Sequence, residues 1–189
     1  MLDTNLEPSD FRSFCLCPDE FNHSFRDSPE NTFSVSHINI RSLNTNIDSF
    51  NLFYSDIIKH KFSIIGVSEI WQISGDNLFH LDDYRLEYRV RDTGRGGGVA
   101  AYIKPGLRYT VIYKDVSHSE SIWLNIQLNS KSAVVGIVYR KPNTNVSEFR
   151  DSLIETLHSF KIDKHHCILM GDFNIDLSHA HDLADSEFF

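Results

Sequence analysis

The 189-residue chain is 41% hydrophobic and 23% charged, enough apolar content for one globular domain and unlike a disordered or fibrous chain. No run approaches the roughly 18–20 apolar residues of a membrane-spanning helix, and the acidic start (Asp3, Glu7, Asp10) has neither the basic nor the apolar region of a secretory leader. An intracellular protein, nuclear or cytoplasmic, with no membrane partner is therefore expected.

The formal net charge of −8 argues against a nucleic-acid partner only until it is located. Residues 1–36 carry −5, residues 172–189 carry −5, and residues 37–171 carry +2. The acidity belongs to the two ends, so a polyanion partner stays open, although no basic stripe demands one. Cys15, Cys17 and Cys167 form no even framework, and the Cys-x-Cys pair has no second pair at zinc spacing. They read as free thiols.

Residues 1–32 hold Pro8, Pro18 and Pro29 and scattered phenylalanines with neither helical nor strand period, which predicts a weakly structured arm. The folded unit is expected near Phe33 and to run to residue 178, followed by an acidic tail over 179–189. "FSVSHINI" predicts a strand. "NTNIDSFNLFYSDIIKHK" predicts a helix with Ile47, Phe50, Tyr54 and Ile57 on one face, opened by a Thr45/Asp48 capping box. "FSIIGVSEIW" is the apolar run of a strand covered on both sides, which completes a βαβ rhythm.

The next stretch, "YRLEYRV", "GGVAAYIK", "RYTVIY", "ESIWLNIQL" and "AVVGIVYR", predicts a meander of antiparallel character. In "ESIWLNIQL", Ile122, Leu124, Ile126 and Leu128 alternate with polar or amphipathic neighbours, which predicts one buried face. After the "KPNTN" loop, Val146, Phe149, Leu153, Leu157 and Phe160 fall at helical spacing, and "HHCILMGDFNIDL" predicts a buried strand. Strand and helix units at both ends of an antiparallel block give an α/β sandwich of two mixed sheets with outer helices.

Four of these strands end on residues able to meet a phosphate or a cation. They carry Asn39, then Glu69, then Tyr139, then Asp172 with Asn174, the last two expected on one strand face with Phe173 on the other. Read singly, the amides are turn residues, Tyr139 an amphipathic strand end and Glu69 a solvated loop acid. Together they form an oxygen-rich, sulfur-free set at strand ends, where α/β folds gather ligands, and that set suits Mg²⁺ and a phosphate.

The ordered motifs N-x-R-S, S-E-x-W, G-I-V-Y-R-x-P and G-D-F-N resemble the endonuclease/exonuclease/phosphatase superfamily. The segments "HINIRSLNTNIDSF", "IIGVSEIW", "GRGGGVAAYI", "ESIWLNI", "GIVYRKPN" and "LMGDFNIDL" are most similar to the apurinic-type endonuclease domain of non-LTR retrotransposons. The resemblance implies a DNase I-like sandwich, Mg²⁺ (or Mn²⁺) as cofactor, DNA as partner, and a reverse transcriptase segment downstream. It implies that Glu69 binds the metal, Asn39 helps hold that metal site, Tyr139 contacts the scissile phosphate, Asp172 orients or deprotonates the attacking water, and Asn174 supports both.

Arg140 and Lys141, with Arg89, Arg91 and Arg95, are candidate contacts to a DNA backbone. The glycines of "GRGGGVAAYI" lack the Lys and Ser/Thr of a phosphate loop and predict a tightly packed turn. His165, His166, His179 and His181 fit no helix-borne zinc spacing.

The superfamily's closing Ser-Asp-His motif is missing, and "HAHD" does not replace it. A domain incomplete at its C-terminus is therefore expected, with an uncovered sheet edge and weak or absent nicking. Two alternatives accompany the nuclease reading: a non-catalytic remnant or binding module of the same fold, and a phosphatase acting on a lipid or inositol phosphate.

Overall fold

A computed structural model of the chain describes residues 15–27, 29, 32–72, 79–91, 96–128, 131–161 and 166–176. Arg95, His165, His179 and His181 lie outside the described residues.

Strand β1 (Val35–Asn39) runs into helix α2 (Leu43–Asn51), which a π-helical turn over Leu52–Ile57 prolongs before strand β2 (Ile64–Ser68). β1 and β2 are parallel neighbours, with Val35 opposite Ile64 and Asn39 opposite Ser68, as the βαβ rhythm predicts. β3 (Arg85–Arg89) and β4 (Val99–Ile103) complete the first sheet in the order β1-β2-β4-β3. The second sheet has the order β5-β6-β7-β8, formed by β5 (Arg108–Ile112), β6 (Ser119–Leu128), β7 (Lys131–Arg140) and β8 (His166–Asp172). β7 and β8 are parallel and the other pairs antiparallel. Helix α3 (Val146–Ser159) makes the β7 to β8 crossover. The expected antiparallel block is therefore divided, β3 and β4 in one sheet and β5 to β7 in the other.

The sheets bury Ile64, Val99, Ala101 and Ile103 against Ile122, Leu124, Ile126, Val135 and Ile137. Leu43, Phe50, Tyr54 and Ile58 cover the outer face of the first sheet on Ile65, Val67 and Tyr102. Phe149, with Leu153, Leu157 and Phe160, covers the second on Trp123, Val134 and Val138. Each fully buried side chain of this size contributes about 1.5–3 kcal/mol.

Four local expectations change. The cap of α2 is Ser42, whose Oγ accepts the Thr45 N–H at 3.4 Å, so the helix starts before the Thr45/Asp48 box. The π turn widens the spiral, which puts Ile58 (4% exposed) in the core in place of Ile57 (37%). β6 is covered on both faces, because Trp123 lies beneath α3 while Ile122, Leu124 and Ile126 face the first sheet. Finally, within the stretch read as a weakly structured arm, Pro18–Ser24 form a short helix, α1. Phe21 packs toward Phe62, ring centroids 6.0 Å apart.

Candidate active site

The parallel pairs β1/β2 and β7/β8 bring four strand ends to one edge of the sandwich. Asn39 closes β1 and its Nδ2 donates to Glu69 Oε1 (3.0 Å) and to Asp172 Oδ2 (2.6 Å). The Arg41 N–H can only donate, so its contact at 3.2 Å identifies Asn39 Oδ1 and leaves the NH₂ group for the two carboxylates. Asn39 is therefore a clamp that holds two acids together, its amide oxygen already taken.

Glu69 follows β2 in a left-handed conformation, φ 56°. Its backbone carbonyl accepts the Ser42 N–H at 2.7 Å, tying this turn to the start of α2. Tyr139 is buried on β7 and donates from its hydroxyl to Glu69 Oε1 at 3.3 Å. Burial, then the Glu69 charge, pushes the Tyr139 pKa up to about 12, while Arg91 and a hydrogen bond with Asn174 pull the other way. At neutral pH Tyr139 is thus a proton-bearing donor.

β8 ends at Asp172, and Asn174 takes φ 48°. The two share the site through a side-chain turn in place of strand alternation: the Asn174 N–H donates to Asp172 Oδ1 at 3.0 Å, and Asn174 Nδ2 donates to Arg140 O at 2.7 Å. Phe173 points away, as expected, toward Phe149 on α3. Gly171, at φ 156°, has no room for a side chain, since a Cβ would lie 1.8 Å from Val138 O.

All five strand-end residues thus belong to one hydrogen-bonded cluster. A model of the Endonuclease/Exonuclease/phosphatase family matches residues 36–184. The chain belongs to that family.

Solved structures agree on the fold. An endonuclease/exonuclease/phosphatase family protein from Leptotrichia buccalis superposes with a TM-score of 0.58 at 14% identity, covering 82% of this chain and 72% of its own. The human Nocturnin catalytic domain gives 0.54 at 13%, covering 82% and 69%. Mannosyl-6-phosphatase from Bacteroides thetaiotaomicron gives 0.53 at 14%, covering 82% and 70%. No curated protein sequence matches the chain significantly. The DNase I-like sandwich of two mixed sheets with outer helices is therefore the fold of this family member.

Family members use divalent metals. Among the described residues no group of three or more His, Cys, Asp and Glu converges. The donors at hand are the Glu69 and Asp172 carboxylates, two acids drawn to one amide. That sparse oxygen set fits a hard cation that keeps several waters and takes its remaining ligands from a phosphate.

Other residues that the motifs did not reveal surround the cluster. Glu120, 5% exposed at the start of β6, lies opposite Tyr139 in the β6/β7 register. It takes Arg91 in a two-pronged pair, Nε to Oε1 at 2.8 Å and Nη2 to Oε2 at 3.2 Å. The Arg91 charge reaches both Tyr139 and Glu69. The glycine-rich turn makes room for this pair, because a Cβ at Gly97 would fall 2.4 Å from Arg91 Nη2. His37 sits two residues before Asn39 and faces the same way, and burial lowers its pKa against the opposing pull of Asp172. His37 Nε2 and Ser68 Oγ are buried beneath the cluster with no hydrogen-bond partner among the described residues. Period-two counting back from Asn39 would have found His37; no spacing rule would have linked Arg91 to Glu120.

Arg140 does not face outward as a nucleic-acid contact would. It is 3% exposed and its guanidinium is spent on this chain: Nε donates to Phe173 O (2.6 Å), Nη1 to Thr144 O (2.9 Å) and Oγ1 (3.2 Å), and Nη2 to Asn174 O. It fixes the loop that carries Asn174. Lys141 Nζ stands 3.5 Å from Glu120 Oε1, and Arg89 pairs with Asp115 at 2.6 Å.

Proposed function

We propose that this family member is a metal-dependent phosphodiesterase of the DNA-nicking type, derived from a retrotransposon reading frame. The observation that carries the reading is the convergence of Asn39, Glu69, Tyr139, Asp172 and Asn174 from four strands into one network. The motif order through "HINIRS", "SEIW", "GIVYRKPN" and "GDFN" supports DNA over a small phosphate ester.

Glu69 would hold Mg²⁺ or Mn²⁺, with Asn39 fixing its carboxylate. The chemistry supplied by the bound ion is charge stabilisation at the leaving oxygen. Asp172 accepts a proton from, or aligns, the attacking water, and the Asn174 N–H and Asn39 Nδ2 bonds keep its carboxylate oriented for that role. Tyr139, held protonated, donates a hydrogen bond at the phosphate's position beside Glu69.

Plasmid nicking is the test. Residues 1–189 with Mg²⁺ should convert supercoiled to open-circular DNA slowly, and Asp172→Ala should remove the conversion. An Asp172→Ala protein that nicks as fast as the parent would sink the proposal. A second reading is a non-catalytic remnant or binding module of the same fold. Robust Mg²⁺-dependent nicking by this segment would eliminate that one.

A further inference from the structure

A groove opens at the end of the first sheet remote from the candidate site, where α1 crosses the residues that lead into β2. The catalytic cluster sits at the C-terminal ends of β1 and β2, whereas the groove is lined by residues that precede β2 or follow β4. The five-residue strands separate the two by about 16 Å. The groove holds about 1080 Å³, just above the roughly 300–1,000 Å³ typical of ligand sites.

Its charge runs against that of the whole chain. Arg26, Lys59, Lys61 and Lys104 line it beside a single acid, Asp19, although the chain carries a net −8. Among the described residues none of the four bases is ion-paired. The walls are built. Asn22 of α1 donates from Nδ2 to Ile57 O at 2.8 Å and accepts the Lys59 N–H at Oδ1 at 2.8 Å. On the other side the Lys104 N–H donates to Ser63 O at 3.0 Å.

Aromatic rings stand among these bases. Phe25 and His60 both line the groove with ring centroids 5.0 Å apart, and Phe25 stacks on Phe21 at 4.4 Å. His60 Nε2 lies 2.8 Å from Ser34 Oγ, and burial together with Lys104 lowers its pKa. At pH 7 it is a neutral ring.

We propose that this groove binds single-stranded nucleic acid at a place separate from the catalytic cluster. The bases take backbone phosphates, and Phe25 with His60 offers a stacking platform to unpaired bases. A duplex keeps its bases stacked on one another and leaves the aromatic pair unused, so an unpaired strand is the partner that engages both features. The groove is independent of the phosphodiesterase reading.

Fluorescence anisotropy on residues 1–189 without divalent metal tests it, using labelled DNA and RNA strands of about 12 nucleotides. The combined variant Lys59→Glu, Lys61→Glu, Lys104→Glu should weaken binding at least about tenfold and reduce the slope of log affinity against log salt by about 2, the value for three phosphate contacts. Phe25→Ala should weaken binding about tenfold with the slope unchanged. Thermal melting of the lysine variant, whose changes are at the surface, confirms that it folds. Unaltered affinity in that folded variant overturns the proposal, as does unaltered affinity in Phe25→Ala. Equal affinity for a duplex or for an acidic peptide overturns the assignment to an unpaired strand.

Discussion

Asn39 makes the site by what it donates. Two carboxylates drawn to one amide group repel each other unless a donor stands between them, and Nδ2 reaches Glu69 and Asp172 at 3.0 and 2.6 Å. Asn39→Asp puts a third acid in that place, so nicking and Mn²⁺ affinity should both fall, the latter read by calorimetry; Mn²⁺ bound as tightly as by the parent would contradict the clamp. Asp172→Ala should lower the nicking rate about 10²–10⁴-fold, the range for removal of a positioned base. Tyr139→Phe is expected to be milder: its bond to Glu69 is long at 3.3 Å, so stability should change by less than about 1 kcal/mol while the rate still drops. Urea unfolding beside single-turnover nicking separates the two effects.

At the level of elements, the ends of strands hold the site and backbone geometry sets them. Gly171 passes so close to Val138 O that even a methyl group cannot be placed there. Gly171→Ala should therefore displace the β8 end with Asp172 on it, lowering both stability and nicking, and a normal melting temperature would contradict the close approach. Ser42→Ala removes the α2 cap and should cost about 1 kcal/mol. Arg140, buried and bonded to three carbonyls, holds the β7 end to the Asn174 loop. Arg140→Ala should cost about 2–4 kcal/mol, a loss that a mere surface DNA contact would not produce.

The sequence read well wherever one period ruled an element. β1, β2 and β8 and the covering face of α3 follow from apolar runs and spacing, and the strand-end residues follow from motif order. It read poorly where a tertiary contact overrode the period. The π turn that swaps Ile57 for Ile58, the Trp123 face beneath α3, and the Arg91 to Glu120 pair joining two sheets all depend on neighbours far along the chain. The same reason hid Arg140, whose basic character in a list of residues looks like a DNA contact until the burial of its guanidinium is known.

Across the whole molecule, pH acts through histidines that the fold prefers neutral. Burial lowers the pKa of His37 and His60 from 6.5. The unfolded chain takes up these protons before the folded one does, so their contribution to stability is full above about pH 6.5 and is lost as pH falls below it. Urea midpoints should decline on acidification from pH 7.5, and His60→Gln should flatten part of that decline; an unchanged slope would contradict the burial of the ring.

The most direct measurement is single-turnover nicking of supercoiled plasmid by residues 1–189 with Mg²⁺, run beside Glu69→Ala, Asp172→Ala and an EDTA control. The account predicts slow nicking by the parent that stops with EDTA and falls at least about a hundredfold in each variant. Nicking that persists at the parental rate in both folded variants would contradict it.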